Sequence, residues 1–309
     1  MSNPPIRIGT RASRLALAQA GEIRNQLTKL HPKERFKLVK IRTAGDEFKG
    51  VEIFKKTGIG IFTKAIEKKL LSGAIDLAVH SLKDLPTRLP AGLVLAAVPK
   101  RITARDVLIS KKRYSLRSLP AGARVGTGSA RRAAQIRLVR PDVQIVPMRG
   151  NLDTRISKSV RTGELEAVAL AEAGLQRIGR YGQFLKPISE SDMLPAVGQG
   201  ALGIQARARD KYSRLLASAL HSKSTALMVD AERTFLKTLG GGCRVPVGVM
   251  SRIEKDRLYF EGAVFSTVSS KVLRGSFLVR HALAQTSAKN LAKKLLKKGA
   301  RQLLREARA

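Results

Sequence analysis

The chain of 309 residues contains little cysteine, few aromatic side chains and few acidic residues. Its single cysteine excludes an internal disulfide and is typical of a reducing compartment. Tryptophan is absent and aromatic residues make up 4% of the chain, so aliphatic side chains must fill the interior. The longest apolar run, residues 93–98, is too short to span a bilayer, and no signal peptide is visible at the N-terminus. We therefore expect a cytoplasmic protein without a membrane partner.

The shortage of acidic residues leaves a large excess of positive charge. Lys and Arg total 59 against 23 acidic residues, which gives a formal net charge of +36. A field of this sign attracts polyanions. Modules that recognise nucleic acid usually add aromatic stacking platforms or a known motif, and the sequence has neither. A nucleic-acid binder and an enzyme of polyanionic substrates both stay open; we expect non-specific polyanion binding and no specific nucleic-acid partner.

Strand and helix patterns alternate along the first two thirds of the chain. Residues 6–10, 36–41 and 76–79 are predicted strands, and residues 14–30 form a predicted amphipathic helix with Ser13 as its N-cap. The same alternation begins again near residue 105. It predicts parallel sheets covered by helices, in two successive domains.

The last third of the chain has a different pattern. A predicted helix over residues 224–239 precedes three alternating runs, 245–253, 258–265 and 272–279, which short turns join into an antiparallel meander. A final helix is predicted over residues 288–304. These elements predict a separate α+β unit.

Arginine is concentrated where predicted strands end and helices begin. Ligands of open parallel sheets bind beyond the carboxyl ends of the strands, and helix N-termini attract anions. Five arginines occupy such places although helix N-termini disfavour cations: Arg11, Arg131, Arg132, Arg149 and Arg155. Their placement indicates carboxylates or phosphates as partners. The alternative, that a very basic chain carries arginine everywhere, stays open at this point.

Two further residues could carry chemistry. Asp84 is a lone acid beside Lys83, and such a carboxylate is either a cap or ion-pair partner or a catalytic group. Cys243 follows three glycines and precedes Arg244, which would favour the thiolate; a lone cysteine is usually buried and inert, but one on a glycine loop is typical of a reactive or attachment site. No cluster has the spacing of metal ligands, so no metal is expected.

Six strings along the chain resemble motifs of the porphobilinogen deaminase, or hydroxymethylbilane synthase, family. They are TRASRLALAQA from Thr10, HSLKDLP from His80, GTGSARR from Gly126, RGNLDTR from Arg149, LPAVGQGAL from Leu194 and GGGCRVPVG from Gly240. Each string alone is weak, but six in family order and spacing are specific and cover essentially the whole chain.

The resemblance implies an α/β fold with two periplasmic-binding-protein-like lobes, each with a helix-covered sheet, and a smaller C-terminal α+β domain with a three-stranded antiparallel sheet. The predicted domains are residues 1–100 with 198–220 for the first lobe, 101–197 for the second, and 221–309 for the cofactor-carrying domain.

The resemblance also implies a transferase, monomeric and cytoplasmic, that condenses four porphobilinogen molecules head to tail. Ammonia is lost at each step, and hydroxymethylbilane is released for tetrapyrrole (haem) biosynthesis. The family likeness gives Cys243 a thioether bond to a dipyrromethane cofactor and makes Asp84 the catalytic carboxylate.

By the same likeness, the acetate and propionate groups of cofactor and substrate are bound by a set of cationic and hydroxyl-bearing residues. The set is Arg11, Ser13, Lys83, Thr127, Ser129, Arg131, Arg132, Arg149 and Arg155, with Gln19 and Ser81 as weaker candidates and Lys55 and Lys56 in a lid segment.

Two positions depart from the family pattern. Ile59 stands where many relatives have a lysine, and Gly128 stands where serine is common, which removes a possible hydroxyl donor. A non-catalytic, two-lobed protein that binds anions is the alternative to the enzyme.

Overall fold

The computed structural model describes residues 4–43, 63–148, 150–179, 182–242 and 245–307. The chain divides into two compact units, Met1–Ile102 with Ala201–Ala226, and Thr103–Gly200 with Leu227–Ala309. No helix among the described residues is long and apolar enough to cross a membrane.

The first unit, which we call the first lobe, is built on a five-stranded mixed sheet. Its strands are β1 (Ile6–Arg11), β2 (Phe36–Ile41), β3 (Leu77–Ser81), β4 (Leu93–Ala97) and β10 (Leu202–Arg207). Their order across the sheet is β2-β1-β3-β10-β4. β1 is parallel to both β2 and β3, whereas β10 is antiparallel to β3 and β4. Its helices are α1 (Arg14–Leu30), α2 (Lys64–Leu71) and α6 (Lys211–Ser218).

Alternation along β3 distributes its side chains between two separate cores. Leu77 and Val79 pack with Ala20, Ile23 and Leu27 of α1. Ala78, on the opposite face, packs with Ile66 and Leu70 of α2. Because successive strand residues point to opposite faces, one helix covers each side of β3. The end of this strand is therefore held between two helices.

The second lobe has a sheet of the same design. Its strands are β5 (Asp106–Ile109), β6 (Arg124–Thr127), β7 (Gln144–Pro147), β8 (Ala167–Ala171) and β9 (Leu185–Pro187). They are ordered β7-β6-β8-β5-β9, and β5 runs antiparallel to β8 and β9. Its helices are α3 (Ala130–Val139), α4 (Leu152–Val160) and α5 (Glu172–Ile178).

The expectation of purely parallel sheets is wrong in one strand of each lobe. In both lobes the antiparallel strand directly adjoins a point where the chain passes between the units: β5 follows the first passage and β10 follows the return. A strand that enters from a neighbouring unit does not need the right-handed helical crossover that makes consecutive strands parallel.

The C-terminal domain is a meander of three antiparallel strands, β11 (Val247–Glu254), β12 (Arg257–Phe265) and β13 (Val272–Arg280), as expected. Its helices are α7 (Lys223–Thr238), α8 (Ala284–Leu295) and α9 (Arg301–Glu306). Few aromatic residues exist, and three of them meet here: Phe260 packs edge-on against Phe235 at 5.4 Å and stacks on Phe277 at 5.0 Å between ring centroids.

The predicted single helix over residues 288–304 is wrong. α8 passes into a wider π-type turn, Leu296–Ala300, and α9 begins after it. Gly299 has φ of 100° at this point, a backbone conformation that interrupts a helix and favours glycine.

The predicted fold class is confirmed: two helix-covered α/β sheets and a C-terminal three-stranded antiparallel sheet.

Candidate active site

Within the first lobe, β1 and β3 deliver the predicted site residues to one edge of the sheet. The two strands are parallel neighbours, so their carboxyl ends lie side by side. Arg11 is the last residue of β1, and β3 ends at Ser81, which is followed by the 3₁₀ turn Leu82–Asp84. The binding edge expected from the sequence therefore exists in this lobe.

Helix α1 starts from this edge with its N-terminus open to anions. The hydroxyl of Ser13 caps the helix by accepting from the backbone N–H of Ala16 at 3.4 Å, and no acidic residue lies in the first turn. A helix start without a carboxylate of its own keeps the favourable field for an external anion.

Asp84 ends the 3₁₀ turn with an exposed side chain. Among the residues that the structure describes, no hydrogen bond or ion pair to its carboxylate is found. The neighbouring Lys83 is half-buried. A carboxylate of this kind is neither a helix cap nor a surface ion-pair partner, which are the two alternatives to a catalytic role that the sequence leaves open.

Ser81 and Gln19 bind each other instead of pointing separately toward a ligand. The Gln19 amide lies 2.9 Å from the Ser81 hydroxyl, and Gln19 is buried in α1. Their contact fastens the end of β3 to α1.

The opposite face of β3 carries a buried polar chain that the sequence analysis did not identify as a unit. His80 Nε2 lies 3.0 Å from Gln205 Oε1, Gln205 Nε2 donates to Glu67 at 3.3 Å, and Thr63 donates to Glu67 at 3.4 Å. Burial lowers the pKa of His80 to about 4, against the opposing effect of its hydrogen bond to Gln205. The imidazole is therefore neutral at pH 7. It is held in place by Gln205, which in turn is bound by Glu67 of α2.

In the second lobe, β6 ends at Thr127 and leads into α3. The Ser129 hydroxyl caps α3 by accepting from the backbone N–H of Arg132 at 3.4 Å, and Thr127 Oγ1 accepts from the backbone N–H of Ser129 at 3.2 Å. The first turn of α3 contains no acidic residue. This is the second helix start that is open to an anion.

Arg131 and Arg132 share one buried carboxylate, Asp106. Arg131 Nη1 donates to Asp106 Oδ2 at 2.7 Å, and Arg132 Nε donates to Oδ1 at 2.8 Å. Burial would raise the pKa of Asp106, but the two guanidinium charges and their hydrogen bonds outweigh it and lower the pKa to about 2. Two cations on one anion leave a net positive charge inside the lobe.

The remaining donors of Arg131 are largely used within the lobe. Its Nη1 also donates to the Leu194 carbonyl, and its Nη2 lies 3.5 Å from Gln199 Oε1. Its Nε is buried and has no hydrogen-bond partner in the part of the chain that the structure describes. One donor of this buried group is thus unused.

Arg155 lies in the first turn of α4, where Asn151 caps the helix. Its Nε donates to the Gly150 carbonyl at 2.9 Å, which leaves it half-buried at the start of the helix. Unlike α1 and α3, this helix has an acidic residue, Asp153, in its first turn.

Four predicted site residues lie outside the described residues: Lys55, Lys56, Arg149 and Cys243. Among the residues that are described, no group of three or more His, Cys, Asp and Glu side chains could hold a metal ion.

Comparison with known proteins identifies the family of the chain. The model for the dipyrromethane cofactor binding domain of porphobilinogen deaminase matches residues 6–214, and the model for its C-terminal domain matches residues 226–298. The chain belongs to the porphobilinogen deaminase family. Its activity is that of a hydroxymethylbilane synthase of tetrapyrrole biosynthesis, with a dipyrromethane cofactor.

Curated relatives match along their full length. The porphobilinogen deaminase of Syntrophobacter fumaroxidans is 42% identical over 99% of this chain and 99% of its own. That of Syntrophus aciditrophicus is 45% identical over 97% of both chains. Among solved structures, the substrate binding domain of a putative molybdenum ABC transporter from Clostridium difficile is 11% identical over 72% of this chain and 93% of its own, with a TM-score of 0.42.

Proposed function

We propose that Asp84 is the catalytic carboxylate of the porphobilinogen deaminase reaction. The supporting observation is its exposed carboxylate in the turn that follows β3, at the sheet edge where β1 also ends and from which α1 starts. In the part of the lobe that the structure describes, this carboxylate is not engaged by another side chain, so its hydrogen-bonding capacity is left for a ligand.

The described residues fit a dipyrromethane. Such a group brings carboxylates and pyrrole N–H donors, and the first lobe offers a complement to each at one sheet edge: the start of α1, which has no acidic residue, and the exposed acceptor Asp84. The second lobe has a helix start without acidic residues of its own, at α3. When bound through the Cys243 sulfur, the cofactor supplies the free α-carbon to which substrate units are added.

Asp84 has two tasks in each addition. Departure of ammonia from porphobilinogen leaves a positively charged methylene-pyrrole, which the carboxylate stabilises while it accepts a hydrogen bond from the pyrrole N–H. The same carboxylate would also take up the proton that is released from the ring when the new C–C bond forms. His80 is neutral at pH 7 and adds no charge at this end of β3.

The cationic residues balance the growing product. Each substrate unit adds two carboxylates, so charge accumulates as the chain lengthens. Asp106 neutralises only one of the two guanidinium charges of Arg131 and Arg132, and the remaining charge attracts substrate carboxylates. We assign the same task to Arg11, Ser13, Lys83, Thr127, Ser129, Arg149 and Arg155, and to Lys55 and Lys56; Gln19 and Ser81 act by holding the end of β3.

Intact mass spectrometry under denaturing conditions tests this assignment first. The purified protein should exceed its sequence mass by one dipyrromethane, and Cys243→Ala should lack both the adduct and activity. Protein that stays without an adduct and inactive when given porphobilinogen would refute the role of Cys243.

Asp84→Asn separates cofactor attachment from turnover. The variant should keep the adduct but lose about 10²–10⁴-fold in kcat, the usual contribution of a positioned acid–base group. Glu190→Gln, a change at another exposed carboxylate, should retain full activity. Full activity of Asp84→Asn with the adduct in place would refute its catalytic role.

We propose a cytoplasmic monomer whose small-molecule partner is porphobilinogen, with the three-domain division at residues 1–100 with 198–220, 101–197 and 221–309. A single species of the mass of one chain in sedimentation equilibrium is the expected result.

A further inference from the structure

The outer face of the C-terminal helices carries a run of cations that the deaminase reaction does not use. We call it the basic face; it consists of Lys289, Lys293, Lys294, Lys297, Lys298, Arg301 and Arg305, all of them exposed. The opposite side of these helices is apolar and buried, with Leu291, Leu295 and Leu303 in the domain core. The helices are therefore packed on the domain core, and the cations extend from their outer side into solvent.

The cations of the basic face differ from many arginines elsewhere in the chain because they have no carboxylate partner among the described residues. Arginines of the second lobe pair with acids, as the exposed Arg117 does with Asp192 and the half-buried Arg140 with Asp142. From residue 284 to 307 the one acid is Glu306, and it accepts from Ser266. The basic face thus carries positive charges that no acidic side chain among the described residues neutralises.

This arrangement costs stability in the absence of a counter-ion. Lys289, Lys293 and Lys297 follow each other at intervals of four residues, as do Lys294 and Lys298, and like charges at this spacing repel each other on a helix. A bound polyanion would remove the repulsion and release its own condensed counter-ions.

The charge density of the basic face suits a polyanion with closely spaced phosphates. Its seven cations lie within the 17 residues 289–305, and four of them, Lys293, Lys294, Lys297 and Lys298, lie within six residues. Phosphates follow one another about every 3.4 Å along one strand of a duplex, so several of them can lie against such a face. The face has no aromatic residue on which an unpaired base could stack, so the match is to the backbone of a double helix.

A lipid bilayer fits the basic face less well. Membrane-binding amphipathic helices insert large apolar side chains on one side. Between residues 289 and 305 every exposed residue is polar or charged, and the leucines are turned into the protein.

We propose that the basic face binds double-helical nucleic acid through its phosphates, without preference for sequence. This binding is a second property of the chain, separate from its enzymatic activity. It assigns a location to the non-specific polyanion binding expected from the net charge of +36.

The test measures fluorescence anisotropy of a labelled 20-base-pair DNA duplex of arbitrary sequence with the purified, cofactor-loaded full chain. The wild type should bind with a Kd of about 1–100 µM near physiological salt, with a steep dependence on salt concentration. The triple variant Lys289→Glu, Lys293→Glu, Lys297→Glu should bind about tenfold or more weakly. Its slope of log K against log salt should be smaller by about 2.7, since three phosphate contacts are lost.

The matched control makes the same change of charge elsewhere. Lys29→Glu, Lys33→Glu, Lys37→Glu alters three exposed lysines of the first lobe and should change the slope by less than one. Both variants should keep wild-type kcat, which shows that fold and active site are intact. Equal loss of binding in the two variants would overturn the proposal, because net charge alone would then explain it.

Two other outcomes would also overturn the proposal. One is tighter binding to vesicles containing phosphatidylserine than to the duplex, with the same dependence on the basic face, which would indicate a membrane surface. The other is a strong preference for one DNA sequence, which phosphate contacts cannot produce. The proposed function does not depend on any of these results.

Discussion

His80 Nε2 and Gln205 Oε1 are joined by a buried hydrogen bond of 3.0 Å. Because the Gln205 amide nitrogen donates to Glu67, its oxygen is left to accept, and the proton of the neutral imidazole must lie on Nε2. The carboxylate of Glu67 thus determines, through one amide, which tautomer His80 adopts. The histidine is two residues from the turn that carries Asp84, so its position affects the candidate active site.

We predict that His80 makes the protein less stable as the pH falls from about 6.5 to about 4. The pKa of His80 is lowered to about 4 in the folded protein, so in this range the unfolded chain binds a proton that the folded chain does not. Urea unfolding at several pH values should show the free energy of unfolding falling by up to about 3 kcal/mol from this group. His80→Asn should flatten the pH dependence in this window; an unchanged profile would contradict the prediction.

Asp106→Asn should destabilise the second lobe strongly. It leaves Arg131 and Arg132 buried without their counter-charge, and breaking a buried ion pair in this way costs about 3–5 kcal/mol. Asp142→Asn, which removes the partner of Arg140 at the surface, should have a much smaller effect. Denaturant titration of the three proteins compares the free energies of unfolding, and similar values for both variants would be inconsistent with the geometry.

Gly128→Ser should impair the protein, although serine is common at this place in the family pattern. A Cβ at Gly128 would lie 2.4 Å from the backbone oxygen of Met148, so the added side chain must displace the chain just before Arg149. We expect a loss of about 1–3 kcal/mol in stability, typical of overpacking, together with a lower kcat. Gly182→Ser is the control, since nothing lies within 4 Å of its Cβ position. Wild-type melting temperature and kcat for Gly128→Ser would contradict this.

The same substitution should have opposite effects at two helical glycines. Gly21→Ala, in the middle of α1 with open space around its Cβ, should stabilise by about 0.5–1 kcal/mol through helix propensity. Gly299→Ala should destabilise by about 1–2 kcal/mol, because φ of 100° is unfavourable for a residue with a side chain. Thermal unfolding should move the two melting temperatures in opposite directions; shifts of the same sign would be at odds with the conformation of Gly299.

Much of the fold could be predicted because local patterns determine it. The periodicity of α1, the Ser13 cap and the three strands of the C-terminal meander are visible in the sequence and are confirmed within a few residues. The antiparallel direction of β5 and β10 could not be predicted, since it depends on which distant strands they pair with. The break in the last helix was missed because Gly299 interrupts an otherwise continuous run of helix-forming residues.

The cations of the candidate site could be predicted from the sequence, but not all of the groups with which they pair. Arg131 and Arg132 stand out at the start of a helix, but the carboxylate that they share, Asp106, is 25 residues away in sequence and has no local signature. The chain from His80 through Gln205 to Glu67 likewise joins residues up to 138 positions apart. The sequence alone shows only that a polar residue lies within an apolar strand; it does not show which distant residues bind to it.

The position of β10 constrains how this protein can be made. It lies inside the first lobe's sheet, bonded on one side to β3 and on the other to β4. A nascent chain that has left the ribosome as far as residue 102 therefore holds a sheet with its fourth strand missing, whereas all five strands of the other sheet lie between residues 106 and 187. Vectorial synthesis consequently lets the lobe that is second in sequence complete its sheet first. In the first lobe β1, β2 and β3 can pair at once, but β4 and the free edge of β3 have to wait about a hundred more codons for β10.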